Sequence, residues 1–432
     1  MQHVWKFFAS VRLAIFLLAA LALTSIIGTV IPQHQPAAFY AERYSPEAAA
    51  FFQVLDIPSM YGSWWFVGLL ALLALNLIVC SLDRLPKVWQ IMGADPAAMP
   101  VERIEKMPER ANWSNIGGAA LPALRRLLTA RGFKAANESF FIAEKGAWSR
   151  LGAYIVHLSI LIIFVGALVG QRYGFKGSLM LPEGNANATD VVFLNQTREP
   201  RPLGFTLRCD SFAIAYYDNG MPKKYLSRLT ILDEGGKPVL SRDIEVNQPL
   251  RYKGITFYQA SYQPYDDFIV EFTKNGDPQG ERHAFTLPFR QEEEWREEDV
   301  KFGVINADGH GQRLERLKLW LQKGDGAPVT LQLAAGEEAD FDPYKVRARQ
   351  LYATGLQVAK DPGVPLVYFG CGLLIFGLYV AFFLAHRRLF ALLRQTEIGH
   401  DLLLAGTCNK NHLGFARDFA ALKAEIEKML AA

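Results

Sequence analysis

Hydrophobic residues collect in four long runs along this chain, and the segments between the runs are polar. The runs cover about 11–31, 64–82, 151–170 and 364–384. Each is long enough for a helix to cross a hydrocarbon layer of roughly 30 Å. The first run is longer than a usual signal-peptide core, and no convincing small-x-small cleavage site follows it, so we interpret it as a retained helix. The pattern therefore predicts an integral membrane protein with four transmembrane helices.

The polar segments predict two further folded parts. Residues 171–363 contain short strand-like pieces between Gly, Pro and Asn turns, which predicts a large β-rich domain, either a sandwich or a barrel. The pieces are FTLRCDSFAIAYY, SRLTILD, ITFYQASY, FIVEFTK, HAFTLPF and VTLQLAAG. Residues 83–150 combine a Leu-rich helical pattern with a hairpin-like alternation and predict a small α+β module. Residues 32–63 form a loop, and the tail 385–432 ends in an amphipathic helix expected to pack on the module or on a partner.

Lys and Arg near the ends of the runs predict the orientation in the membrane. Segment 83–150 is rich in basic residues and the last run is followed by three arginines, whereas loop 32–63 contains only Arg43. We therefore expect both termini, the module and the tail to be cytoplasmic. Residues 171–363 are then expected to be extracytoplasmic.

Composition and cysteine spacing exclude several classes of protein. The net charge of +3 over 432 residues gives no reason to expect nucleic-acid binding. No C-x-x-C pair occurs, so a thioredoxin-like redox pair and a zinc ribbon are not predicted, and without C-x-x-C-H the chain is not itself a c-type cytochrome. Cys209 alone falls in 171–363, so no disulfide is expected within that domain. No catalytic constellation stands out, and we predict no catalytic residue.

His157 is the one histidine inside the four runs. An ionisable side chain within a bilayer is costly and commonly marks a function. From its position alone it is a polar clasp between helices, a proton relay, or a metal or haem ligand. Asn76 in the second run should lie at a similar depth, where it could hydrogen-bond one ring nitrogen and leave the other for a metal. Taken alone, Asn76 is instead expected to hold helices together through packing. Small residues at seven-residue spacing, Gly152, Ser159 and Gly166, predict a close contact with another helix.

Several separated segments resemble one known family, the ResB (also called CcsB) proteins of System II cytochrome c biogenesis. The most specific match is IEVNQPLRYKGITFYQASY at Ile244–Tyr262, and the stretch with the intramembrane histidine is KGAWSRLGAYIVHLSILIIFVGALVG at Lys145–Gly170. The other matching segments are Ser10–Gln33, Ala74–Pro86, Thr354–Gly370 and Ala385–Phe390. Together they extend over the whole chain.

The resemblance implies a function and partners. ResB proteins work with a tryptophan-rich membrane protein, ResC or CcsA, to move haem across the membrane and present it to C-x-x-C-H sites of apocytochrome c. It implies haem b as the transported substrate and His157 as an axial ligand of the haem iron. The chain would be a non-catalytic or co-catalytic subunit of a haem lyase in the bacterial cytoplasmic (inner) membrane, in contact with the lipid bilayer.

The second axial ligand of a bis-histidine haem must then come from elsewhere. Because His157 is the single histidine within the four runs, we expect the partner to supply the other ligand at a subunit interface. The alternative function is a membrane-anchored sensor or assembly scaffold that binds no haem itself.

Overall fold

The computed structural model describes residues 2–184, 187–195, 197–217, 221–276, 282–310 and 313–431. The chain divides into two compact units. The first, here called the helical unit, comprises Met1–Leu168 with Gly363–Ala432, and the second, the β unit, comprises Val169–Pro362.

Helices lie mainly in the helical unit. Within the described ranges, the α-helices are α1 (Gln2–Phe8), α2 (Val11–Val30), α3 (Ala37–Arg43), α4 (Pro46–Val54), α5 (Trp64–Gly93), α6 (Val101–Ile104), α7 (Leu121–Ala130), α8 (Gly152–Tyr173), α9 (Val364–Phe383) and α10 (His412–Ala431). Short 3₁₀ turns occur at Ile57–Gly62, Pro96–Ala98, Gly118–Ala120 and Ala147–Leu151.

Strands make up most of the β unit and part of the helical unit. In chain order they are β1 (Glu109–Ile116), β2 (Lys134–Ala135), β3 (Phe140–Lys145), β4 (Phe175–Pro182), β5 (Thr189–Leu194), β6 (Pro200–Tyr216), β7 (Pro222–Leu232), β8 (Pro238–Ile244), β9 (Leu250–Tyr252), β10 (Ile255–Lys274), β11 (Arg282–Pro288), β12 (Glu292–Trp295), β13 (Val300–His310), β14 (Arg313–Lys323), β15 (Val329–Ala334), β16 (Glu338–Phe341), β17 (Tyr344–Lys360), β18 (Arg387–Thr396) and β19 (Gly399–Cys408).

Four helices of the described chain, α2, α5, α8 and α9, are long and apolar enough to cross a membrane. They confirm the four predicted spans. The helix α5 continues to Gly93, well past the end of its apolar run near Leu82. Its last turn is stabilised because the guanidinium of Arg388 donates to the carbonyl oxygen of Ile91 at 3.0 Å, and a cation at this end also favours the helix dipole.

The long helices pack through two kinds of contact. Bulky side chains of α2 and α5 share an apolar cluster to which α8 also contributes, and its buried members include Leu17 and Leu73. The contact between α8 and α9 relies on glycine. A Cβ on Gly152 would lie 2.6 Å from the backbone nitrogen of Ala381, so the two backbones approach too closely for a larger residue. This confirms the helix contact predicted from the small residues of α8 and identifies α9 as the neighbour.

The module of the helical unit is a single antiparallel sheet built from two distant parts of the chain. Its strand order is β1-β19-β18-β3-β2, so β18 and β19 from the tail occupy the middle of the sheet. The helices α7 and α10 cover one face with a buried apolar core that includes Leu124, Phe419 and Ile426. The predicted hairpin and Leu-rich helix are present as β2, β3 and α7. We expected the tail helix to pack either on the module or on a partner, and α10 packs on the module.

The β unit confirms the predicted β-rich domain. Its main sheet runs β11-β10-β17-β4-β5-β6-β7-β8, with β9 on β10 and β16 on β17, and a separate sheet runs β12-β13-β14-β15. Two of the predicted pieces, ITFYQASY and FIVEFTK, belong to the same long strand β10, whose pairing with β17 shifts register between Pro264 and Phe268.

Polar groups buried inside the β unit are paired. Ser227 of β7 donates to Gln259 of β10 at 2.5 Å and lies 2.8 Å from Thr354 of β17, so strands far apart in the sheet order meet across one core. The carboxylate of Glu183 is fully buried and accepts from Arg349 at 2.6 Å. Buried polar groups are tolerated in a protein interior when they are hydrogen-bonded in this way.

Candidate functional site

His157 lies on α8 and its ring is half-buried. The helix forms here because its residues are continuously apolar and it satisfies its own backbone hydrogen bonds, as a bilayer requires. On the same face, the ring of Tyr154 stands edge-on to the imidazole, with 6.3 Å between ring centroids. His157 therefore lies within a helix and keeps part of its surface accessible.

Ser81 of α5 is the residue that hydrogen-bonds this histidine. Its Oγ lies 2.9 Å from Nδ1 of His157. The same hydroxyl donates to the carbonyl oxygen of Leu77 at 2.7 Å, one turn earlier in α5. A serine hydroxyl has a single proton, so with that proton on Leu77 its oxygen accepts from the imidazole. Nδ1 of His157 therefore carries the ring proton.

The fixed tautomer leaves Nε2 of His157 with its lone pair free. Within the described ranges, Nδ1 is the ring nitrogen of His157 that has a hydrogen bond, to Ser81. Neighbouring apolar side chains are also open: Leu158 is 53% exposed and Ile78 of α5 is 41% exposed. A neutral imidazole with one nitrogen held by a hydrogen bond and the other free is the usual form of a histidine that ligates a metal.

Asn76 serves a different part of the helical unit. Its side chain is buried, and its amide nitrogen donates to the carbonyl oxygens of Phe8 at 2.6 Å and Ser10 at 3.1 Å. These carbonyls lie where the chain breaks between α1 and α2. The amide of Arg12, which would bond Phe8 in a continuous helix, donates instead to the side chain of Ser10 at 3.2 Å. Asn76 thus joins α5 to the helix break. The residue that hydrogen-bonds His157 is Ser81 and not Asn76.

A positive charge lies beside the histidine. Arg84 follows Ser81 by three residues on α5, so the two side chains lie one helical turn apart on the same face. The guanidinium is exposed, and no ion pair involving it occurs among the residues that the structure describes. The site therefore combines a free imidazole nitrogen, open apolar surface and an unpaired cation on two packed helices.

Comparison with known proteins identifies the family. The model of the ResB-like family matches residues 11–338 and 305–420, which covers most of the chain. The chain belongs to the ResB-like family.

Relatives of this ResB-like chain match it over almost their whole length. One is the cytochrome c biogenesis protein CcsB of Synechococcus sp. (strain JA-3-3Ab), which is 31% identical over 96% of this chain and 88% of its own length. The CcsB protein of Gloeobacter violaceus is 28% identical over 99% of this chain and 91% of its own length. That of Synechococcus sp. (strain RCC307) is 31% identical over 96% and 94%, respectively.

Cys209, which the sequence of this ResB-like protein also singled out, has a structural role. Cys209 is fully buried in the β unit, its Sγ lies 3.4 Å from the carbonyl oxygen of Ser211, and burial raises the pKa of its thiol to about 12. A thiol in this state is unreactive, since the thiolate is the nucleophile. Within the described ranges, no group of three or more His, Cys, Asp or Glu residues could hold a metal ion.

Sequence reasoning missed a polar cluster around His386. This residue is 2% exposed and lies between the module and the 3₁₀ turn that precedes α8. Its Nδ1 accepts from Nε of Arg150 at 2.7 Å and its Nε2 lies 2.6 Å from Glu144, which also binds Arg388 at 2.6 Å. Both ring nitrogens of His386 have hydrogen-bond partners, so neither is free to ligate a metal. The sequence around His386 is rich in arginines and therefore did not indicate that the histidine would be buried.

Proposed function

We propose that this ResB-like protein is the haem-handling subunit of a cytochrome c synthase complex. It receives haem b within the membrane and passes it outward for covalent attachment to the C-x-x-C-H site of apocytochrome c. Its relatives are named cytochrome c biogenesis proteins, which supports a role in cytochrome c maturation. The observation that carries the haem role is the imidazole of His157, with Nδ1 bonded to Ser81 and Nε2 free beside open apolar surface.

In this proposal His157 supplies one axial ligand of the haem iron. Haem is large, planar and apolar over most of its surface, so an open apolar face between two helices is a suitable place for it. A ResC or CcsA-type tryptophan-rich membrane protein provides the second axial ligand and closes the site. The protein lies in the bacterial cytoplasmic membrane, with both termini and the module cytoplasmic and the β unit extracytoplasmic, in accord with the distribution of Lys and Arg.

The test is haem spectroscopy on the complex purified with its tryptophan-rich partner. His157→Ala should abolish the Soret absorption of this site, and added imidazole should restore it. His157→Gln is a second variant that keeps an N–H group for Ser81 but lacks an iron ligand, and it should also lose haem. His3→Ala, in the exposed helix α1, is the matched control and should retain it.

Normal haem spectra in both His157 variants would falsify the ligand role. The alternative function is a membrane-anchored sensor or an assembly scaffold that binds no haem. A colourless complex that still matures cytochrome c would favour the scaffold.

A further inference from the structure

The cation beside His157 has no function in the ligand chemistry described so far. Some other arginines of the helical unit form ion pairs within the described residues: Arg388 binds Glu144 and Arg394 binds Glu105, each at 2.6 Å. Asp83, which precedes Arg84, accepts from the indole nitrogen of Trp5 at 3.1 Å. Arg84 itself has no described ion pair, although carboxylates are available elsewhere in the same unit.

Arg84 also lies on the correct part of α5 to meet a ligand held by His157. Residues three apart in a helix share a face, so Arg84 stands one turn beyond Ser81, towards the end of α5. Ser81 contacts the His157 ring directly. Arg84 is therefore one helical turn from the residue that hydrogen-bonds the His157 ring.

We infer that Arg84 binds a carboxylate of the ligand held by His157. This inference rests on the proposed function, in which the ligand is haem, whose two propionates lie on one edge of the ring. A guanidinium offers two parallel N–H donors that match a carboxylate, and such charge-assisted pairs are stronger than neutral hydrogen bonds.

A haem carboxylate bound by Arg84 would lie towards the end of α5 that leads into the module. The vinyl groups, which form the thioether bonds in a c-type cytochrome, would then lie away from the cation. A long cationic side chain at a helix end can instead bind lipid phosphate, and the experiment separates these two roles.

The experiment titrates haem, and haem with both propionates esterified, into the haem-depleted complex with its partner. Arg84→Gln should weaken binding of haem by about tenfold or more, the usual effect of losing a charge-assisted hydrogen bond. It should leave binding of the diester unchanged. Arg84→Lys should give an intermediate loss, because lysine keeps the charge without the paired donors.

Lys87→Gln is the control, since Lys87 is the next exposed cation on α5. It should bind both ligands as the unaltered complex does. Equal affinity of Arg84→Gln and the unaltered protein for haem, or an equal loss with haem and with the diester, overturns the role of Arg84. That result leaves the proposed function standing as long as His157→Ala is colourless, whereas haem retained in His157→Ala overturns the proposed function itself.

Discussion

Replacing Ser81 with alanine tests whether the hydrogen bond to His157 prepares it as a ligand. The change removes the 2.9 Å contact to Nδ1 and the intrahelical bond of the same hydroxyl to Leu77, and it leaves the imidazole in place. The ring then has no partner that fixes its tautomer. A neutral hydrogen bond contributes about 1 kcal/mol, which corresponds to about fivefold in affinity. Removing the hydrogen-bond partner of a metal-ligating histidine typically costs about 10- to 100-fold. We therefore expect haem affinity to fall by about tenfold.

The assay is haem titration of the depleted complex, together with the reduction potential of the bound haem. An imidazole that donates from Nδ1 is a more basic ligand and favours the ferric state, so Ser81→Ala should raise the potential. Ser81→Thr retains a hydroxyl and should preserve both values. Ser159→Ala is the matched control, because Ser159 also donates within its own helix, to Val156 at 2.7 Å, and does not contact the ring. Affinity and potential both unchanged in Ser81→Ala would refute the reasoning.

Two further predictions concern stability. Asn76→Leu removes two buried hydrogen bonds at the break between α1 and α2. It should lower the free energy of unfolding by about 1–3 kcal/mol, seen as a lower melting temperature, while haem affinity stays normal. A loss of haem equal to that of Ser81→Ala would contradict the separation of the two sites. Burial lowers the pKa of His386 below its ordinary 6.5, and the positive charges of Arg388 and Arg150 add to this, although the bond to Glu144 opposes it. The unfolded chain then takes up a proton more readily, so stability present above pH 6.5 should fall as the pH is lowered from 8 to 5.5. His386→Gln should flatten that dependence in thermal unfolding, and an unchanged slope would show that other groups cause it.

The spans and the strand-rich segment could be predicted because each depends on local pattern. A run of about twenty apolar residues has to satisfy its backbone internally, and short alternating pieces between turns form strands. The contribution of β18 and β19 to the module could not be predicted in the same way. A strand buried on both faces, such as DLLLAG in β19, is continuously apolar and cannot be distinguished from a helix segment by periodicity. One of its two partners is also far away in the chain, since β19 pairs with β1 from Glu109 to Ile116 as well as with its neighbour β18.

The candidate site shows the same division between local pattern and tertiary packing. The sequence by itself determined that His157 stands alone among the apolar runs and is costly there, and that α8 carries small residues for a close helix contact. Depth along the membrane suggested Asn76 as its neighbour. Only the tertiary structure decided which face of α5 turns towards α8. Asn76 and Ser81 are five residues apart, which places them about 140° apart around the helix. The rotation of a packed helix depends on side chains from other segments, here Phe8, Ser10 and the core shared with α2, and a single stretch of sequence does not contain that information.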